Sequence, residues 1–138
     1  MRLSLIIPTL NEAENLAVLL PYLRQKADRR LLEIIVVDAG SSDDTLTVAT
    51  DHGADVAFKA KHPGRGPQMN EAAQRASGNT LYFVHADSRP PVDFLDDIEH
   101  ALEKGYQVGG YRFRFDSDKV LLKINAWFTR FPALACRG

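Results

Sequence analysis

In EIIVVDAGSSDDT, residues 33–45, an apolar run stops on Asp38, turns through Ala-Gly-Ser-Ser and resumes as Asp-Asp-Thr. Two other apolar runs stop in the same way. LSLIIP passes into TLNEAEN at residues 9–15, and TLYFV passes into HADS at 85–88. The side chains collected at these breaks, among them Thr9, Asn11, Glu12, Asp38, His85 and Asp87, suit a polar ligand and a hard cation. A fourth stretch, KHPGRGPQMN at 61–70, adds the opposite charge. Gly64 and Gly66 flank Arg65, whose guanidinium can pair with a phosphate through two bonds, and Lys59, Lys61 and His62 lie close by in sequence. An aspartate beside polyphosphate oxygens is a usual way to hold Mg2+ or Mn2+, with water completing the shell. The combination points to a phosphorylated ligand bound with a divalent cation.

Each feature also has a plainer reading. Asp38 alone is equally well explained as a helix cap or turn residue, Asp87 as a turn residue before Arg89-Pro90-Pro91, and the basic loop as a solvated turn. What favours a site is the placement of three polar strand ends on one edge. Other chemistries find less support: the basic loop has no Gly-Lys-Ser/Thr ending, no Gly-x-Ser-x-Gly elbow occurs, and the four histidines are scattered.

Short apolar runs alternate with amphipathic segments of helical length, the pattern of an α/β protein with a mostly parallel sheet and helices on both faces. Strands are expected near 3–7, 33–37, 55–58, 80–84 and 108–115. Leu16, Leu19, Leu20 and Leu23 share one helical face, with Pro21 expected to kink or break that helix. SDDTLTVATDHG reads as a second helix with a capping serine and a stop glycine. GPQMNEAAQRASG reads as a third, ending at Gly78, and PPVDFLDDIEHALEKG as a fourth, beginning at the prolines and ending at Gly105. Right-handed crossovers bring the carboxyl ends of parallel strands to one edge, where open α/β sheets bind ligands.

The 138 residues have room for one core. A net charge of −1 argues against a nucleic-acid binder, and a single cysteine, Cys136, fits a reducing compartment. With no signal-like start and no apolar run near the length of a bilayer span, a cytoplasmic domain is expected. In the tail, Val120, Leu121, Ile124, Trp127, Phe128 and Phe131 form one helical stripe. It reads as a helix covering the core, or as a surface for self-association or for peripheral contact with the inner face of the membrane.

Taken in order, LSLIIPTLNEAENL, EIIVVDAGSSDDTL and GRGPQMNEAAQRASGNTLYFVHADS resemble the nucleotide-sugar half of family 2 glycosyltransferases of the GT-A fold. The GR-x-x-QMN and HAD-S wording is most similar to bacterial transferases associated with radical-SAM and selenium-related domains. The resemblance covers residues 3–115 and implies a Rossmann-like nucleotide-diphospho-sugar transferase fold. It implies a donor-binding domain at 1–115 and, at 116–138, the start of an acceptor-side region. Pro8, Thr9, Asn11 and Glu12 would line the nucleotide pocket, Asp38 would meet base or ribose, and Arg65 and Asn70 the diphosphate. Asp87 would be the metal ligand of a DXD-like motif, with Mn2+ or Mg2+ as cofactor.

The implied reaction is inverting transfer of a sugar from a nucleoside diphosphate to an acceptor hydroxyl, the acceptor unspecified. Three departures stand out. Ala39 replaces a second, often base-contacting, aspartate. His85-Ala86-Asp87 replaces Asp-x-Asp, His85 reading as a phosphate donor or packed strand-end residue more than as a ligand. The segment carrying the family's catalytic base is expected beyond FPALACRG. Asp93, Asp96, Asp97 and Glu99 read as a solvated helix face, so no catalytic base is assigned. The chain therefore reads as a donor-binding half, with a non-catalytic nucleotide-binding module, or one completed by a partner chain, as the alternative.

Overall fold

The computed structural model describes residues 1–111. The stripe at 116–138 and the boundary expected at 115 lie outside the described residues. A first unit runs from Met1 to Leu95, and a second begins at Asp96 and is described through Tyr111.

In the first unit, β1 (Leu3–Thr9), α1 (Ala13–Lys26), β2 (Leu31–Asp38), α2 (Thr45–Asp51), β3 (Val56–Lys59), α3 (Arg65–Arg75) and β4 (Thr80–Phe83) alternate along the chain. The helix α4 (Phe94–Glu103) begins at its end. All strand pairings are parallel, in the order β3-β2-β1-β4. This is the expected α/β sheet, and the central strands show why their sequences are apolar throughout. Leu5, Ile6, Ile7 and residues 34–37 are buried because both faces of the sheet are covered. Ile6, Ile35 and Val37 pack with Ala72 of α3 on one face. Alternation sends Leu5, Ile7, Ile34 and Val36 to the other face, over which a right-handed β1–α1–β2 crossover lays α1. The buried residues of α1 are Leu16, Leu19, Leu20 and Leu23, the predicted stripe.

Several local expectations are corrected. The helix α1 runs unbroken through Pro21, which is exposed, so water can satisfy the carbonyl that loses its partner. The N-cap of α2 is Asp44, not a serine, and Asp43 accepts the Thr45 amide at 3.1 Å. The helix α3 spans Arg65–Arg75, so Arg65 is its first residue and not part of the preceding loop, and Gly78 lies beyond its end. The helix α4 starts at Phe94, past the prolines. Residues 108–111 carry no strand; Gly109 and Gly110 disfavour one, and 112–115 lie outside the described residues.

Gly78 is needed at the amino edge of the sheet. Its amide donates to Ser4 Oγ at 2.9 Å, Ser4 Oγ donates to Glu33 Oε1 at 2.6 Å, and the Ser77 amide donates to the same Glu33 oxygen at 2.6 Å. A Cβ on Gly78 would lie 2.6 Å from both Arg2 O and Ser4 Oγ. Gly78→Ala is therefore expected to cost about 1–3 kcal/mol through overpacking. Urea unfolding should show a lower midpoint at unchanged slope; an unmoved midpoint would mean that this edge yields freely.

Candidate functional site

The chain steps outward from β1 to β2 to β3, then returns to the far side of β1 as β4. Loops that leave β1 and β4 therefore part at a topological switch point, the position where open parallel sheets bind ligands. The register sets the strand ends along one edge: Thr9 pairs with Asp38 and Asp38 with Lys59, while β4 ends earlier, with Phe83 opposite Ile6 and the ladder continuing through the Val84 amide to Ile6 O at 3.0 Å. The three polar breaks seen in the sequence thus share one edge, with β1 between Asp38 on one side and the residues after β4 on the other.

Asp38 is turned into the protein and is 1% exposed. Its Oδ1 accepts the Thr9 hydroxyl at 3.1 Å and the Ser41 hydroxyl, and its Oδ2 accepts the Gly40 and Ser41 amides at 2.8 and 2.7 Å. Four donors occupy the carboxylate's principal acceptor positions. The loop wraps around it at Gly40, whose φ of 103° suits glycine and whose backbone lies under the Lys59 side chain. Pro8, half-buried, precedes the buried Thr9 on β1.

The two loops that leave β1 and β2 are also tied together. Asn11, held at φ 54°, accepts the Ser42 amide at 2.8 Å and gives its own amide to Ser41 Oγ at 2.7 Å. The Glu12 amide donates to Thr45 Oγ1 at 2.9 Å, and the Glu12 carboxylate accepts Asn15 at 2.6 Å. The Thr45 hydroxyl beside Asp43, aided by the Ala13 and Thr45 amides, holds that carboxyl below its ordinary value. Asn11 and Glu12 thus contribute to the loop scaffold through these bonds.

Arg65 is exposed at the first turn of α3, which follows Gly64. Helix amides there are unpaired by construction and favour an anion. Asn70 is also exposed but lies five positions further on, outside the three-and-four spacing that makes helix neighbours. The structure does not place those two side chains together on the helix surface.

After β4, half-buried His85 opens a tight turn closed by the Ser88 amide to His85 O at 2.9 Å. Ala86 is buried in that turn, and Asp87 is exposed at its corner. The next residues are anchored to α1: the Arg89 guanidinium lies 4.2 Å from the centre of the Tyr22 ring, and the Tyr22 hydroxyl donates to Pro90 O at 2.7 Å. Among the described residues no three His, Cys, Asp or Glu side chains gather to hold a metal. An exposed carboxylate such as Asp87 at the carboxyl edge of the sheet suits a hard cation whose other ligands are diphosphate oxygens and water, rather than one caged by protein.

Gln68 is the residue missed in the sequence. It is 4% exposed, and its Nε2 donates to Thr9 O at 2.9 Å and Val37 O at 2.8 Å. The signal was present: Gln68 stands four residues before the buried Ala72, a polar group on the face of α3 that turns to the sheet. Among the described residues no helix is long and apolar enough to cross a membrane.

Comparison with known proteins agrees with this fold. The chain is 33% identical over 102 residues to an uncharacterized glycosyltransferase of Mycobacterium bovis, covering 74% of this chain and 44% of that protein. It is 29% identical over 119 residues to the undecaprenyl-phosphate 4-deoxy-4-formamido-L-arabinose transferase of Yersinia pestis, covering 79% and 36%. Among solved structures it is similar to glucosyl-3-phosphoglycerate synthase from Mycobacterium tuberculosis, in complex with Mn2+, uridine-diphosphate-glucose and phosphoglyceric acid. That likeness has a TM-score of 0.65 at 25% identity, over 73% of this chain and 39% of that one. The chain thus spans less than half the length of these relatives. Residues 4–134 match the family model described as glycosyl transferase family 2, and the chain belongs to that family.

Proposed function

We propose that this chain is the donor-binding part of an inverting glycosyltransferase that moves a sugar from a nucleoside diphosphate to an acceptor hydroxyl. The observation that carries the proposal is the switch point beside β1, where the Asp87 turn and the tied loops after β1 and β2 share one edge of the sheet. The similarity to a synthase solved with uridine-diphosphate-glucose and Mn2+ supports this donor class and a divalent cation. The GR-x-x-QMN and HAD-S wording supports kinship with the radical-SAM- and selenium-associated bacterial transferases within the family.

In this reading Pro8, Thr9, Asn11 and Glu12 form the nucleoside wall, and Asp38 shapes that wall through the loop it holds. Arg65 and the first turn of α3 take the diphosphate, with Asn70 further along the helix and His85 available as a donor. Asp87 supplies the protein ligand for Mn2+ or Mg2+. The cation, when bound, neutralises charge that builds on the departing diphosphate. The chain's own contribution is to fix the nucleotide so that the sugar carbon faces the acceptor oxygen in line with the bond that breaks.

Arg65→Ala is expected to weaken nucleoside diphosphate binding about tenfold, as a charge-assisted bidentate pair is lost, and to leave free nucleoside unchanged. Calorimetry with UDP and uridine checks this, and equal losses for both would remove Arg65 from the diphosphate site. The short span against its relatives favours one second reading, a nucleotide-binding module that does not turn over by itself. Slow hydrolysis of a labelled nucleotide sugar supports the transferase; tight binding without any turnover supports the module.

A further inference from the structure

The amide of Gln68 joins parts of the site that are remote in sequence. Where β1 and β2 run out at the carboxyl edge, Thr9 O and Val37 O meet the two hydrogens of its Nε2, one on each strand. Glutamine is one of the few side chains that offers two donors on one nitrogen, and here both are spent on the strands that carry the nucleoside wall. Thr9 O also accepts the Ala39 amide at 2.9 Å, so the same carbonyl joins the loop around Asp38. The Gln68 backbone amide closes the first turn of α3 by donating to Gly64 O at 3.0 Å, and Arg65 begins that turn. Ala72 packs the middle of α3 on the sheet, and one buried residue, Gln68, ties its first turn, where Arg65 begins, to the strands that lead into the loops after β1 and β2.

We infer that Gln68 is a positioning residue of the donor site, fixing the span between the nucleoside wall and the diphosphate-binding turn of α3. The inference rests on the donor-site reading above. A ligand that reaches both parts gains from joint attachment only if their separation matches its own length, whereas a ligand that touches one part is indifferent to that separation. A nucleoside diphosphate needs both parts; a nucleoside or pyrophosphate needs one.

The test uses the full chain and Gln68→Met, which keeps the volume and removes both donors. With Mn2+ present, UDP affinity by calorimetry is expected to fall about tenfold or more, while uridine and pyrophosphate, followed by NMR titration, stay within about twofold. Equal losses for all three, tracking a lower melting temperature, would reduce Gln68 to a fold-stabilising residue and overturn the inference. Unchanged UDP affinity would overturn it as well.

Hydrogen exchange on the ligand-free chain gives an arm that needs no ligand. The Gly40 and Ser41 amides and the amide at position 68, which closes the first turn of α3, should exchange faster in the variant, and the Gly78 amide at the opposite edge should not; a uniform change, or none, would overturn the inference. Wild-type protein that binds none of the common nucleoside diphosphates would sink the proposed function, and this arm would still decide whether Gln68 positions the loops. If Gln68→Met does not fold, Gln68→Glu serves. Protonated, the form that burial favours on acidification, glutamic acid donates one bond; ionised at higher pH, it repels both carbonyls. UDP affinity relative to wild type should recover on acidification, and a pH profile parallel to wild type would overturn the inference.

Discussion

Asp87→Ala is expected to abolish the Mn2+ dependence of nucleoside diphosphate binding and to leave the fold untouched. Asp87 is exposed at the corner of the His85–Ser88 turn, and its one described side-chain contact is the Ser88 hydroxyl at 3.3 Å. Removing an exposed side chain of this kind changes stability by about 0.5 kcal/mol or less. The functional loss should be far larger. Even groups in the outer shell of a metal site commonly contribute 10–100-fold, so loss of the carboxylate proposed to hold the cation should cost about 100-fold or more in metal-dependent affinity. Calorimetry with UDP, with and without Mn2+, reads the effect directly. Affinity and Mn2+ response equal to wild type would exclude Asp87 as the ligand.

Asp38→Ala should behave in the opposite way. Four hydrogen bonds end on this 1%-exposed carboxylate, from two hydroxyls and two amides, and its removal leaves the buried Thr9 hydroxyl with a long bond to Val37 O and the donors of the Gly40–Ser41 turn dependent on water. A buried donor that loses its acceptor costs about 1–3 kcal/mol, and with the turn donors rehydrated the net loss should be about 3 kcal/mol, a large share of a small domain's stability. Nucleotide binding should fall too, through the loop and not through a lost contact. Asp38→Asn separates the two effects. It keeps one acceptor oxygen but turns an NH2 group toward donors, so it should still destabilise, whereas a residue that met the ligand directly would lose affinity at unchanged melting temperature. Thermal melts of both variants beside UDP titrations decide between these outcomes.

These two aspartates read alike in the sequence, each ending an apolar run. The strands themselves were legible, since β1 and β2 are apolar without alternation and such runs suit a doubly covered sheet. The leucine stripe of α1 was legible for the same reason, through its spacing. Helix ends were less so. Arg65 was read as loop and is helical, and of the kink or break read at Pro21 the break is absent from α1, because ends are settled by which backbone groups find partners or water nearby. Gln68 went unread among the site residues although its position on the buried face of α3 marked it, because its two partners are carbonyls on strands far away in the chain.

Residue type and period by themselves determined the parallel α/β sheet and the edge at which its polar residues gather, because burial period and strand-end composition are local properties of the chain; the family came from the resemblance of its ordered motifs. Only the tertiary structure decided which way each carboxylate faces, closing Asp38 within four donors and leaving Asp87 open at a turn. That choice depends on the donors that distant segments bring, Thr9 from β1 and Gly40 and Ser41 from the wrapped loop, and no count along the sequence contains it.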